Sequence, residues 1–170
     1  MMTRRRWLGF LSSLGLAGTA AYSASPATGT QPPAAGAAPV QPLVLSDAQW
    51  RQRLTPGQYK VLREEGTETA GSSPLNAEKR NGQFHCAGCD LPLFSSKMKY
   101  ESGTGWPSFF TTLPGTVQTK RDFGLFLPRT EYHCARCGGH QGHVFEDGPK
   151  PTGLRYCNNG VALKFVAEAA

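Results

Sequence analysis

Nowhere in its 170 residues does the chain hold an uninterrupted apolar run of about 20 residues, the length needed to cross a bilayer. The nearest approach, Trp7 to Tyr22, is shorter and is broken by Gly9, Gly15 and Gly18, so no stable membrane anchor is expected. Acidic residues are also few, 12 against 18 Lys and Arg. The resulting net charge of +6 invites a nucleic-acid partner, but three of those charges are Arg4, Arg5 and Arg6 in a leader that has no acids. What remains is an ordinary soluble surface. No internal repeat appears beyond two short cysteine motifs, and cysteine itself is scarce at five residues.

The amino terminus has a charged start (Thr3-Arg4-Arg5-Arg6), a short apolar stretch and small residues around Ala20 to Ala27. That is the pattern of a secretory leader, and the twin arginines point to the export route for folded proteins, with a periplasmic destination. Residues 1–24 are read as this leader, and 25–44, rich in Ala, Pro and Gly and uncharged, as a linker. Residues 45–168 are left as one domain with a modest core. Two helix starts open it, Ser46-x-x-Gln49 and Thr55-Pro56-x-Gln58, the second with Gly66 as a stop.

Four of the five cysteines form two Cys-x-x-Cys knuckles, Cys86/Cys89 and Cys134/Cys137. Together they supply the four thiolates of a tetrahedral structural Zn²⁺, one per chain. A closed site of that kind does no chemistry, so the unpaired Cys157 is the candidate nucleophile. Its surroundings alternate apolar and polar and read as one strand, with Arg155, Cys157 and Asn159 on one face. A cation beside the thiol favours thiolate, and an amide can hold a polar group. An inert buried cysteine is the plainer alternative.

Directly after the second knuckle come His140, His143, Phe145 and Asp147. His143, Phe145 and Asp147 share a face of an extended run, and an imidazole with a carboxylate can move and orient a proton. A structural or metal-ligating role for either histidine is the alternative, though four cysteines already complete a zinc shell. A third cluster, Ser102-Gly103-Thr104-Gly105-Trp106-Pro107-Ser108-Phe109, is a rigid loop able to present an indole to a small apolar group. A tryptophan in such a loop can equally plug a core.

Taken together, these motifs carry a resemblance. Ser73-Pro74-Leu75-Asn76-x-Glu78-Lys79-Arg80, the first knuckle with Leu91-Pro92-Leu93-Phe94, Lys99-Tyr100 with the Ser102 to Phe109 loop, Gly139-His140-x-Gly142-His143-Val144-Phe145-x-Asp147-Gly148 and Arg155-Tyr156-Cys157-x-Asn159 resemble methionine-R-sulfoxide reductases of the MsrB family. The resemblance spans about Leu45 to Val166. It implies a mainly β fold of two antiparallel β-sheets with short N-terminal helices and a structural zinc site. It also implies Cys157 as catalytic cysteine, with His143, His140, Asp147 and Asn159 lining the site and handling the sulfoxide oxygen. Trp106 would take the substrate's S-methyl group, with Arg155 and Phe109 completing the substrate-binding set.

The implied reaction is reduction of methionine-R-sulfoxide, free or in proteins. Thiolate attack leaves a sulfenic acid on Cys157, and which of His143, His140 or Asp147 delivers the proton stays open. Where many members carry a resolving cysteine this chain has Thr104. The implication is a one-cysteine enzyme, a monomer, regenerated by an external thiol or a thioredoxin-like reductant. Two competing readings remain. One is a zinc-ribbon binding module with Lys97, Lys99, Lys120 and Arg121 on phosphates and Trp106, Phe109 and Phe110 stacking bases, disfavoured by the leader and by the 44 residues between Cys89 and Cys134. The other is a thioredoxin-like enzyme using a Cys-x-x-Cys pair.

Overall fold

A computed structural model describes residues 39–124 and 128–169. The leader and the linker up to residue 38 lie outside the described residues. Both expected helices are present. The first, α1 (Asp47–Arg53), and the second, α2 (Pro56–Leu62), each begin with a reciprocal capping box, Ser46 with Gln49 and Thr55 with Gln58. After α2 the left-handed backbone falls on Glu65, with φ 56°, and not on the expected Gly66. Ahead of α1, Val40 and Leu43 pack against the core, and the Leu43 N–H donates to the Arg136 carbonyl.

Among the described residues nine strands follow: β1 (Gly82–Cys86), β2 (Pro92–Ser95), β3 (Lys99–Tyr100), β4 (Ser108–Phe109), β5 (Val117–Asp122), β6 (Arg129–Cys134), β7 (His140–Phe145), β8 (Arg155–Asn158) and β9 (Leu163–Ala167). They form two antiparallel sheets, ordered β2-β1-β9 and β3-β4-β8-β7-β6-β5. The run around Cys157 is therefore not one strand. It breaks at Asn159, passes through a 3₁₀ turn at Gly160–Ala162, and enters the other sheet as β9. Among the described residues no helix is long and apolar enough to cross a membrane.

Aromatic side chains fill the space between the sheets. Phe84 and Phe94 of the small sheet meet Phe109, Tyr132 and Tyr156 of the large one. Because side chains alternate along a strand, the other face of the large sheet is free for a different row. Cross-strand register aligns Lys120, Glu131, His143, Cys157, Ser108 and Tyr100 through all six strands. One polar row thus crosses the sheet with the nucleophile near its middle.

Candidate active site and metal centre

The two knuckles close the same way. In each, the N–H of the residue after the second cysteine (Asp90, Gly138) donates to the carbonyl of the first (Cys86, Cys134) at 2.9 Å, and that residue has positive φ. Cys86 ends β1 and Cys134 ends β6, so the cluster joins the two sheets. All four sulfurs lie within 4.8 Å of one another and are buried, with Sγ–Sγ separations of 3.7 Å for Cys86–Cys137 and 3.4 Å for Cys89–Cys134. A tetrahedron of Zn–S bonds of about 2.3 Å has sulfurs about 3.8 Å apart, so the donor set fits a structural Zn²⁺.

Charge supports the same fit. Hydrogen bonds from the thiols of Cys134, Cys86 and Cys89 drive Cys137 toward thiolate. Three arginines donate to knuckle carbonyls: Arg53 to Gly88, Arg63 to Cys137 and Arg136 to Cys89. The closest sulfur contacts cross between knuckles, which is the arrangement of a shared ion and not of two redox dithiols.

On the outer face of the large sheet, Cys157 lines a cavity of about 290 Å³ with Thr67, Thr104, Trp106, Arg129 and His143 among its neighbours. Phe145, Arg155, Asn158 and Asn159 complete most of the wall. Three sequence segments that looked separate, the Trp106 loop, β7 and β8, thus converge on one thiol. Gly142 makes the close approach possible, since a Cβ there would fall 1.9 Å from the Cys157 carbonyl oxygen.

Arg155 does not tip Cys157 to thiolate as its position suggested. Burial pushes the thiol above its ordinary value, outweighing the Arg155 charge and the hydrogen bonds from Thr104 and Arg155. Arg155 is also shared with a carboxylate. Its Nε and Nη2 form a bidentate pair with Asp147 at 2.8 Å each, and its guanidinium lies 4.3 Å from the Phe145 ring centre.

His143 is the cross-strand neighbour of Cys157, but its carboxylate partner is not Asp147. Nε2 of His143 lies 2.7 Å from Asp122 Oδ2 at the end of β5, and Asp122 is also bound by Arg129 and the Gly124 N–H. Those hydrogen bonds, the Gly124 amide first, hold Asp122 well below the usual carboxylate range. Burial lowers His143 despite Asp122, so its imidazole is neutral near pH 7. Asp147 instead stands 61% exposed on Arg155.

The remaining expected site residues divide. His140 is 2% exposed, with Nδ1 on Glu131 and its ring centre 5.5 Å from that of His143; it borders a smaller neighbouring cavity and not the one holding Cys157. Burial lowers His140 to about 4. Asn159 reaches the cavity wall, yet its Nδ2 donates to the Gln141 carbonyl and its Oδ1 accepts the Glu68 N–H, so it is a latch before it is a ligand. Phe109 is not a substrate contact. It is fully buried and stacked on Phe94 with ring centres 3.9 Å apart, because the residue beside it, Ser108, occupies the outer face.

Three of the residues named for a nucleic-acid surface are engaged within the fold. Phe109 cannot stack on a base, Lys99 donates to the Asn76 carbonyl, and Lys120 is paired with Glu65 and Glu131. Asp122, Arg129, Glu131, Thr67 and Glu68 were not found from sequence. No short spacing links them to the motifs; only strand register and chain reversal bring them there.

Residues 54–167 match the family model described as the SelR domain. The chain is 51% identical over 124 residues to a peptide methionine sulfoxide reductase MsrB of Leptospira interrogans, covering 72% of this chain and 95% of that one. It is 53% identical over 121 residues to the protein of the same name from Agrobacterium fabrum, covering 71% and 90%. A Methanosarcina barkeri protein of that name is 52% identical over 124 residues, covering 72% and 87%.

Proposed function

The chain belongs to the SelR-domain family and is a peptide-methionine (R)-S-oxide reductase of the MsrB type, and on that premise we propose a one-cysteine mechanism centred on Cys157. The observation that carries it is the partition of thiols. Four are gathered in one buried cluster that fits zinc, and the fifth faces a cavity shared with His143, Trp106 and Thr104.

Substrate enters with its S-methyl group on the Trp106 indole and its oxygen toward His143, an arrangement that accepts one epimer at the sulfur stereocentre. At rest the Cys157 thiol and the His143 imidazole are both neutral. The thiol proton passes to His143, whose cationic form is stabilised by Asp122, much as a carboxylate steadies the histidine of a hydrolytic triad. Cys157 sulfur then attacks the sulfoxide sulfur while that proton moves to the sulfoxide oxygen. The S–O bond breaks and frees the protonated oxygen, which bonds to Cys157 sulfur as the new S–S bond breaks with its electron pair on the methionine sulfur, leaving Cys157 sulfenic acid and free methionine. Methionine sulfoxide gains two electrons and Cys157 loses two.

Thr104 lines the same cavity as the thiol, hydrogen-bonds to it and cannot form a disulfide. Regeneration therefore falls to an external thiol or thioredoxin-like protein. One thiolate attacks the sulfenic sulfur and releases water, and a second resolves the mixed disulfide. The domain holds one structural zinc through Cys86, Cys89, Cys134 and Cys137, which fixes the fold and takes no part in the redox step. The substrate is methionine-R-sulfoxide, free or in proteins. The enzyme is exported by the twin-arginine route to the periplasm, a reading supported by the leader.

Mixing the enzyme with one equivalent of an R-sulfoxide peptide, without reductant, tests the mechanism. Mass analysis should find one trapped sulfenic acid at Cys157 and no disulfide involving it. An internal Cys157 disulfide contradicts the one-cysteine route.

A further inference from the structure

Glu68 lies in the segment between α2 and β1 and takes part in none of the chemistry above, yet each of its polar groups is engaged. Its carbonyl oxygen accepts the indole N–H of Trp106 at 3.2 Å, and its N–H donates to Asn159 Oδ1 at 3.0 Å. Its carboxylate accepts the N–H groups of Gly160 at 2.6 Å and Val161 at 2.9 Å. The side chain thus anchors this stretch to the 3₁₀ turn where the chain leaves β8 for β9. Its main chain meanwhile holds two walls of the cavity, the Trp106 indole and Asn159, which flank the paired strands β4 and β8.

We propose that Glu68 is a positioning residue that fixes the Trp106 indole relative to Asn159 and so sets how tightly the sulfoxide methyl group is held. The proposal rests on the reading of Trp106 as the methyl-binding surface. Two features separate positioning from mere folding. The Trp106 loop is tied independently, since the Gly105 carbonyl accepts from the Gly71 N–H at 2.7 Å and from Asn76 Nδ2 at 2.8 Å. Asn159 is likewise held from behind by Gln141. Removing the Glu68 carboxylate therefore frees the angle of the indole, not the loop that carries it. Carboxylate–amide hydrogen bonds are charge-assisted and short here, so the anchor is stiff while the carboxylate is present.

At the turn the Glu68 carboxylate is the acceptor for both amides, one oxygen to each. Glu68→Ala deletes both bonds. Glu68→Gln keeps one acceptor oxygen but turns an NH₂ group toward the other amide, so it should be intermediate.

The test uses the full chain with zinc bound. KM and kcat for an R-sulfoxide peptide, the preference for the R over the S epimer, zinc content and the alkylation rate of Cys157 are measured for wild type, Glu68→Ala and Glu68→Gln. The expectation for Glu68→Ala is a KM raised about tenfold with kcat within about threefold, since uniform binding is what a loosened indole forfeits. A reduced epimer preference, one zinc per chain and alkylation within about twofold of wild type should accompany it. Glu68→Gln should lie between. KM unchanged in both variants, or kcat lost together with zinc in both, overturns the proposal. If Glu68→Ala alone fails to bind zinc, the KM of Glu68→Gln decides. Wild type turning over the R peptide with variants indistinguishable from it removes only the role of Glu68; wild type without turnover removes the underlying reading as well.

Discussion

His143 and Cys157 face each other directly across β7 and β8, and the far nitrogen of His143 rests on Asp122. On the mechanism proposed above, His143 is the proton carrier for the thiol and Asp122, from another hairpin, its orienting partner. His143→Ala should slow the first turnover by about a hundredfold or more, the range for loss of a positioned acid–base group. Asp122→Asn should cost about ten- to a hundredfold, as loss of a residue that orients another does. Single-turnover methionine release checks both. A large loss in Asp147→Asn with none in Asp122→Asn would return the role to Asp147.

Asp147 acts instead through Arg155. Its bidentate hold sets a negative charge beside the guanidinium and offsets part of that cation's pull on Cys157, whose thiol burial already lifts above the ordinary 9.0. The thiolate fraction, and with it the alkylation rate, should keep rising with pH beyond 9.0. Asp147→Asn removes a negative charge that raises Cys157, so the curve should move to lower pH and alkylation at pH about 7.5 should quicken about threefold, the effect of half a pKa unit. An unshifted curve would show that Arg155 does not tune the thiol.

Zinc removal should unfold the domain. Binding by four thiolates contributes about 10 kcal/mol or more, comparable with the whole stability of a domain this size. A strong chelator, or Cys89→Ser, should abolish the cooperative thermal transition. Retention of native circular dichroism and melting without metal would contradict the role assigned to the cluster.

Phe109→Ala should lower stability by about 3–5 kcal/mol, the usual cost of emptying a buried aromatic site. Phe109→Leu should lower it less and leave KM for the sulfoxide unchanged. Urea denaturation and steady-state kinetics separate the two effects. A raised KM with stability intact would place Phe109 at the substrate after all.

Local chemistry was legible in the sequence, while arrangement across strands was not. The helix caps at Ser46 and Thr55, the two knuckles and the lone Cys157 are short-range patterns whose physics is complete within a few residues. The site's Trp106, His143 and Arg155 were found because each sits in a dense motif. Asp147 was paired with His143 because both lie on one strand face, but the nearer carboxylate comes from β5, which only the six-stranded register reveals. Phe109 shares a motif with Trp106, yet the alternation of β4 turns Ser108 outward and Phe109 into the core. The break at Asn159, where one expected strand becomes two in different sheets, is contacted by Glu68, which lies 91 residues earlier in the chain.

The division between metal-bound and reactive sulfur is tested most directly by one comparison. Wild type and Cys157→Ser, both loaded with zinc, are given peptides carrying the R or the S epimer of methionine sulfoxide, and methionine is counted per enzyme in the absence of reductant. The expected result is one methionine per wild-type chain from the R epimer, essentially none from the S epimer, and none from Cys157→Ser. Methionine formed by Cys157→Ser at the wild-type yield would contradict it.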